Sequence, residues 1–309
     1  MMHPVRSMLF LLLLVSTLAL LPASRATAQE AAPDASPTAS AAVGDFTGTI
    51  DIGGRAVFLS CRGEGAPTVI VEHGQGGSSA DMGSLQRELS RDTRVCLYDR
   101  AGMGKSDPPP APITAPRTAA DVVADLHALL EAADIPGPYV LVGQSVGGAF
   151  VQLYARMYPD EVAGVVAMNA VPPANPWLDE SAPLMTEQER AEELAYNAGG
   201  QDTEDFDWNT SFAQLDAADP PPSMPFLMLI STIAQCESPD DICGRTYGVY
   251  ETVMAELAAE WPQGRFIQLE AEHEIYERPE AVRAIRQLID AVRDPGLWVV
   301  SATPPAGTP

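Results

Sequence analysis

Residues 143–147 read Gly-Gln-Ser-Val-Gly, between the apolar run Tyr139-Val140-Leu141-Val142 and the segment Gly148-Ala149-Phe150-Val151-Gln152-Leu153-Tyr154. A strand that turns at once into a helix forces its central serine into strained backbone, which only small neighbours such as Gly143 and Gly147 accommodate. The turn holds the Ser145 hydroxyl out above the sheet edge. The Val146 N–H then sits at a helix N-terminus, where developing negative charge is stabilised. Ser145 is therefore the candidate nucleophile and Val146 a candidate oxyanion donor. Without the flanking strand and helix, the same five letters would describe only a glycine-rich turn.

A serine hydroxyl is a poor nucleophile until a base takes its proton. The chain has four histidines. His3 lies in an apolar leader, and His127 sits in a helical stripe between Leu126 and Ala128. His73 opens the run His73-Gly74-Gln75-Gly76-Gly77, directly after an apolar strand. His273 stands among Glu270, Glu272 and Glu274, just before the last helix, and those neighbours are expected to raise its pKa.

The elements that would hold these groups alternate. Apolar runs at 56–61, 68–72, 93–98, 139–142, 162–168, 226–230 and 265–269 read as strands covered on both faces. Helical stripes fall between them, one closing at 87–91, one at 117–133 and the last at 279–292. The pattern gives an α/β class with a mostly parallel, doubly wound sheet. Residues 172–224 break the alternation with short helical or loop segments and Pro-rich ends. Inserted after the strand at 162–168, they would cover the C-terminal strand ends as a small helical lid, where ligands bind in open sheets. Its Trp177, Phe206, Trp208 and Phe212 either line an apolar pocket or anchor the lid to the main domain.

Composition bounds the setting. Arg6, the apolar run from Met8 to Leu21, Pro22 and the small-x-small Ala26-Thr27-Ala28 read as a signal peptide over 1–28, cut before Gln29. A flexible leader over 29–44 follows, then one domain over 45–294 with its lid at about 172–224, and a flexible tail over 295–309. The expected location is outside the cytoplasm, periplasmic or extracellular, with no stable membrane association after cleavage. A net charge of −24 repels nucleic acid and anionic membranes. The four cysteines, Cys61, Cys96, Cys236 and Cys243, lack Cys-x-x-Cys spacing and a nearby histidine, which argues for disulfides and against a metal site.

Three motifs in order resemble the α/β-hydrolase superfamily, over roughly residues 55–293: the loop His73–Gly77, the loop Tyr98-Asp99-Arg100-Ala101-Gly102-Met103-Gly104-Lys105-Ser106, and the turn around Ser145. The resemblance implies the sheet-and-lid architecture, His273 as general base, His73 as a structural residue, and the N–H groups of Gln75 and Val146 as the oxyanion hole. No metal or organic cofactor is implied. It also places the strand ending at Cys61 beside the one holding Cys96, which pairs them and leaves Cys236–Cys243 to close a short loop. The triad acid departs from the pattern. The position after 162–168 is Asn169, and the Gly-x-x-Asp expected after 226–230 is missing. Glu237, the first carboxylate past that strand, is taken as the acid, with Asp240 next and a neutral hydrogen bond from Asn169 as the alternative.

The reading that follows is an exported serine hydrolase of carboxylic esters or related acyl compounds, working through an acyl-enzyme on a small-molecule substrate. An exported peptidase acting on small peptides uses the same machinery and is the runner-up. A weak or inactive binding protein with the same fold is the third reading.

Overall fold

The computed structural model describes residues 44–109, 116–199 and 204–298. The expected signal peptide, nearly all of the leader and the end of the tail lie outside them. Eight strands form one sheet: β1 (Phe46–Asp51), β2 (Ala56–Arg62), β3 (Thr68–Glu72), β4 (Val95–Tyr98), β5 (Tyr139–Gln144), β6 (Val162–Met168), β7 (Pro225–Ser231) and β8 (Gln263–Leu269). Their order is β1-β2-β4-β3-β5-β6-β7-β8. The β1–β2 and β2–β4 pairs are antiparallel and every other pair is parallel.

Helices cover both faces, as strands with no polar face require. On one side α2 (Ala119–Ala132) and α3 (Val146–Met157) pack over a core that includes Leu126, Phe150, Tyr154 and Phe226. On the other, α1 (Gly83–Leu89) and α8 (Pro279–Arg293) bury Leu85, Leu89, Ile285 and Leu288 against Val142 and Val166. Helix α8 places Ala281, Val282, Ile285, Leu288 and Ile289 on one buried stripe and starts at Pro279, where a missing N–H costs nothing.

Two elements were absent from the sequence reading. Strand β1 alternates Phe46, Gly48 and Ile50 with exposed Thr47, Thr49 and Asp51 and fully buries only Ile50, so it carries no apolar run. Helix α7 (Ile242–Glu260) contains Gly244 and Gly248, which lower intrinsic helicity, and its apolar positions are scattered. The expected loose tail also starts later than residue 295. Pro295–Leu297 form a short turn, and buried Trp298 donates its indole N–H to the Gln263 carbonyl at 2.8 Å.

Between β6 and β7 lie α4 (Ala174–Ser181), α5 (Glu187–Asn197) and α6 (Trp208–Ala217), above the C-terminal strand ends. This insertion is tied down twice by backbone. Arg117 donates to the Asp205 carbonyl, and Asp207 donates to the Arg117 carbonyl, both at 2.8 Å. Phe206 and Trp208 are buried beside Phe150, with ring centroids 5.2 and 5.7 Å from it.

Cys61 is bonded to Cys96, its register partner across the β2–β4 pair, and Cys236 to Cys243 in the loop leading into α7. Separations of 35 and 7 residues correspond to about 4 and about 2 kcal/mol of lost unfolded-state freedom in the loop-closure picture.

Candidate active site

Ser145 stands between β5 and α3 with φ 55° and ψ −121°, in left-handed backbone that a serine occupies only under constraint. The constraint is visible. The Ser145 N–H donates to the Met168 carbonyl at 2.8 Å, and its own carbonyl accepts from Gly148 at 2.9 Å and Val171 at 3.3 Å. A Cβ at Gly143 would come 2.2 Å from the Gly147 carbonyl oxygen, and one at Gly147 would come 2.6 Å from the Glu72 carbonyl oxygen. The two glycines are what let the turn close against its neighbours. Val146 opens α3, so its N–H is among the helix amides without an intrahelical acceptor.

The loop after β3 is built on a buried charge cluster. Arg100 pairs with Glu72 and, at 2.6 Å, with Glu204 of the lid insertion, and all three side chains are buried. The same guanidinium donates to the carbonyls of His73 at 2.6 Å and Gly74 at 2.8 Å. Glu204 also accepts from the Gly76 N–H at 2.7 Å. Glu72 takes a further hydrogen bond from the Tyr98 hydroxyl, yet burial still holds its pKa above the ordinary value. The loop that carries Gln75 is therefore gripped from below by Arg100 and from the side by the lid. Gln144, buried, lies against Gly74, and the Tyr196 hydroxyl of α5 donates to the Gln75 side-chain carbonyl.

The described histidines separate by environment. His73 is buried, bonded through Nδ1 to the Gly74 carbonyl at 2.8 Å, while its Nε2 accepts from the Arg100 N–H at 3.4 Å. Burial, then the Arg100 charge, push its pKa down to about 3, so it stays neutral and structural. His127 stacks on Tyr158 at 4.1 Å and bonds Glu161 at 3.1 Å, on the outer side of α2. His273, in the turn between β8 and α8, lines a cavity of about 410 Å³ together with Ser145. Its pKa is lowered, because desolvation outweighs the opposing field of Glu274. That reverses the upward shift expected from the sequence, where charges could be counted but desolvation could not.

The third position also differs from expectation. Glu237 is exposed in the loop after β7 and does not line the cavity. The turn Ile233–Gln235, the Cys236–Cys243 bridge and the Asp241 cap of α7 direct this loop outward. Asp241, not Glu237 or Asp240, is the carboxylate that organises it, accepting from Ser238 at 2.8 Å and Gly244 at 2.7 Å. Among the described residues no carboxylate bonds to the His273 ring. Asn169, buried at the end of β6, donates instead to the His273 backbone carbonyl at 2.9 Å and to the Ser231 hydroxyl, and accepts from the Ser231 N–H at 2.7 Å. It holds the segment that carries the histidine and adds no charge. Of the lid aromatics, Phe206 anchors the insertion, Trp177 lines the cavity, and Trp208 and Phe212 do both.

Removing one member of a buried charge cluster leaves its partner unpaired, at a cost of about 3–5 kcal/mol. Glu204→Ala should lower stability by about that amount in a denaturant titration. A loss below about 1 kcal/mol would mean that the lid is not held through Arg100.

Comparison with known proteins bears on the fold. The family model for the alpha/beta hydrolase fold matches residues 67–228, which holds β3 to β6, the Ser145 turn and the lid insertion. The chain is 33% identical over 108 residues to the uncharacterized protein YqjL of Bacillus subtilis (strain 168), covering 35% of this chain and 41% of that protein. It spans between 15% and 41% of the length of the first curated relatives it matches. Among solved structures, a thermophilic esterase from Thermogutta terrifontis superposes with a TM-score of 0.53 at 20% identity, over 80% of this chain and 99% of that one. A haloalkane dehalogenase, the DbeA-M1 loop variant from Bradyrhizobium elkanii, reaches 0.58 at 17% identity, over 82% and 98%. Likeness at that identity speaks to the fold, and the family model covers more than half of the sequence: the chain belongs to the alpha/beta hydrolase fold family.

Proposed function

We propose that the protein is an exported serine hydrolase that cleaves carboxylic esters or related acyl compounds. The observation that carries this reading is Ser145 in left-handed backbone, lining a largely apolar cavity that it shares with His273. Ser145 is one of four non-glycine residues with positive φ among the described residues, and it joins that strained backbone to the cavity that His273 lines. Two disulfides fit a compartment outside the reducing cytosol, and among the described residues no helix is long and apolar enough to cross a membrane.

In the proposed reaction the Ser145 hydroxyl attacks the substrate carbonyl carbon while His273 takes its proton. The carbonyl oxygen becomes an oxyanion that the N–H groups of Val146 and Gln75 stabilise. Collapse expels the leaving group, which receives the proton from His273 and leaves an acyl-Ser145 ester. Water, deprotonated by His273, then attacks that ester and restores the serine. Asn169 acts as a positioning residue through the His273 carbonyl, and the lowered basicity of His273 suits a base that must be unprotonated at neutral pH.

Ser145→Ala should remove hydrolysis of p-nitrophenyl esters by on the order of 10⁶ in kcat, and a fluorophosphonate should label the wild type at Ser145. Near-native turnover by the variant sinks the assignment.

Because the working base is the neutral imidazole and its pKa is lowered, kcat/KM should rise with pH along a limb centred below 6.5, the ordinary histidine value. A limb centred above that value would place the base elsewhere.

Asn169→Ala should reduce kcat by on the order of 10² with little change in KM, as misplacement of a catalytic group does. Glu237→Gln should stay within about twofold of wild type, since an exposed carboxylate in water interacts weakly. A loss of orders of magnitude in Glu237→Gln with none in Asn169→Ala would instead make Glu237 the third member of the triad.

A further inference from the structure

Among the described residues, Glu193 is the sole carboxylate lining the cavity of Ser145 and His273, and no arginine or lysine lines it. The residue belongs to α5, whose positions 193, 196 and 197 fall on one helical face, and all three line the cavity. The other acids of that helix are differently placed. Glu189 caps the helix and pairs with Arg245 at 2.6 Å, and Glu192 accepts from Gln188 at 2.9 Å on the exposed side. Glu193 makes no hydrogen bond or ion pair with the described residues and is only half exposed.

A carboxylate withdrawn from water without a partner costs free energy, and such groups in a ligand cavity are commonly completed by the ligand. The surrounding wall is aromatic: Trp177 from α4, Tyr196 from α5, Trp208 and Phe212 from α6, and Tyr250 from α7. Ring faces attract organic cations and exclude anions. One negative charge within an aromatic wall is the chemistry that recognises an ammonium group.

We propose that Glu193 and the aromatic wall form a subsite for a cationic group, so that the preferred substrate is an ester or related acyl compound carrying an ammonium. The inference rests on the hydrolase reading above and narrows its substrate class. An acyl compound with an acidic group would place like charges together and would be disfavoured. Burial and the neighbouring Glu192 raise the pKa of Glu193, the direction expected of a carboxylate whose counter-charge has not yet arrived.

Two isosteric pairs test it, differing only by N⁺ against C. One is the p-nitrophenyl ester of 4-(trimethylammonio)butanoate against that of 5,5-dimethylhexanoate, with the cation on the acyl side. The other is butyrylcholine against 3,3-dimethylbutyl butanoate, with the cation on the alcohol side. In at least one pair the wild type should favour the cation in kcat/KM by about tenfold or more, and Glu193→Gln should collapse that ratio towards one. The ratio is insensitive to a general loss of folded protein, which lowers both members alike. A turnover-free arm uses calorimetric titration with phenyltrimethylammonium, whose affinity should fall at least fivefold in Glu193→Gln. Hydrolysis of the neutral esters without cation preference, and with equal phenyltrimethylammonium affinity in both proteins, overturns this inference and leaves the hydrolase reading standing. No hydrolysis of any ester and no fluorophosphonate labelling of Ser145 overturns the hydrolase reading, and the substrate inference falls with it.

Discussion

The buried ion cluster of Arg100 with Glu72 and Glu204 is the constraint on which the active end of the sheet depends. It joins three parts that the chain order keeps far apart: the end of β3, the loop after β4 and the lid insertion. Taking an arginine and two carboxylates out of water is expensive, and the mutual attraction offsets that cost only if the remaining donors and acceptors are filled. Here they are. The guanidinium reaches two backbone carbonyls, Glu72 takes the Tyr98 hydroxyl, and Glu204 takes the Gly76 N–H. Glu72 reaches the guanidinium from the end of β3 and Glu204 from the insertion, so the one arginine ties both segments to the loop between them.

That arrangement couples the insertion to the Gln75 loop. The Gln75 loop has no regular secondary structure, so its amides keep their direction only through side chains that grip it. Glu204 and Tyr196, both in the insertion, bond this loop, and Arg100 does so from the core. The insertion therefore both lines the cavity, through Trp177, Tyr196, Trp208 and Phe212, and holds the Gln75 loop.

Much of this was legible in the chain because local rules and the global fold agreed. The strand, glycine, serine and glycine around residue 145 admit one geometry, and the motif around Arg100 marked a structural loop before any partner was visible. The pairing of Cys61 with Cys96 followed once the strand holding each was placed in the sheet order. What escaped was set by distance in sequence. Glu204 lies 104 positions from Arg100, in a segment of low hydrophobicity, and nothing nearby in sequence marks it as buried. Helix α7 escaped because its glycines imitate a loop. Counting carboxylates after β7 leads to Glu237, whereas the fold leaves Glu237 exposed and brings Asn169 to the His273 backbone carbonyl.

Charge gives the sharpest case of the same limit. The chain is strongly acidic, and a net charge of −24 by itself says only that it is soluble and repels polyanions. Most of those acids face water, where screening reduces each to a small and interchangeable effect. Glu193 belongs to the same tally and the same acidic helix, yet its position one helical face away from its neighbours moves it into an aromatic cavity. There a partly buried charge is less screened than its exposed neighbours, since fewer water dipoles surround it. Specificity in such a site follows from where one carboxylate is withdrawn from solvent, and the number of carboxylates in the chain does not predict it.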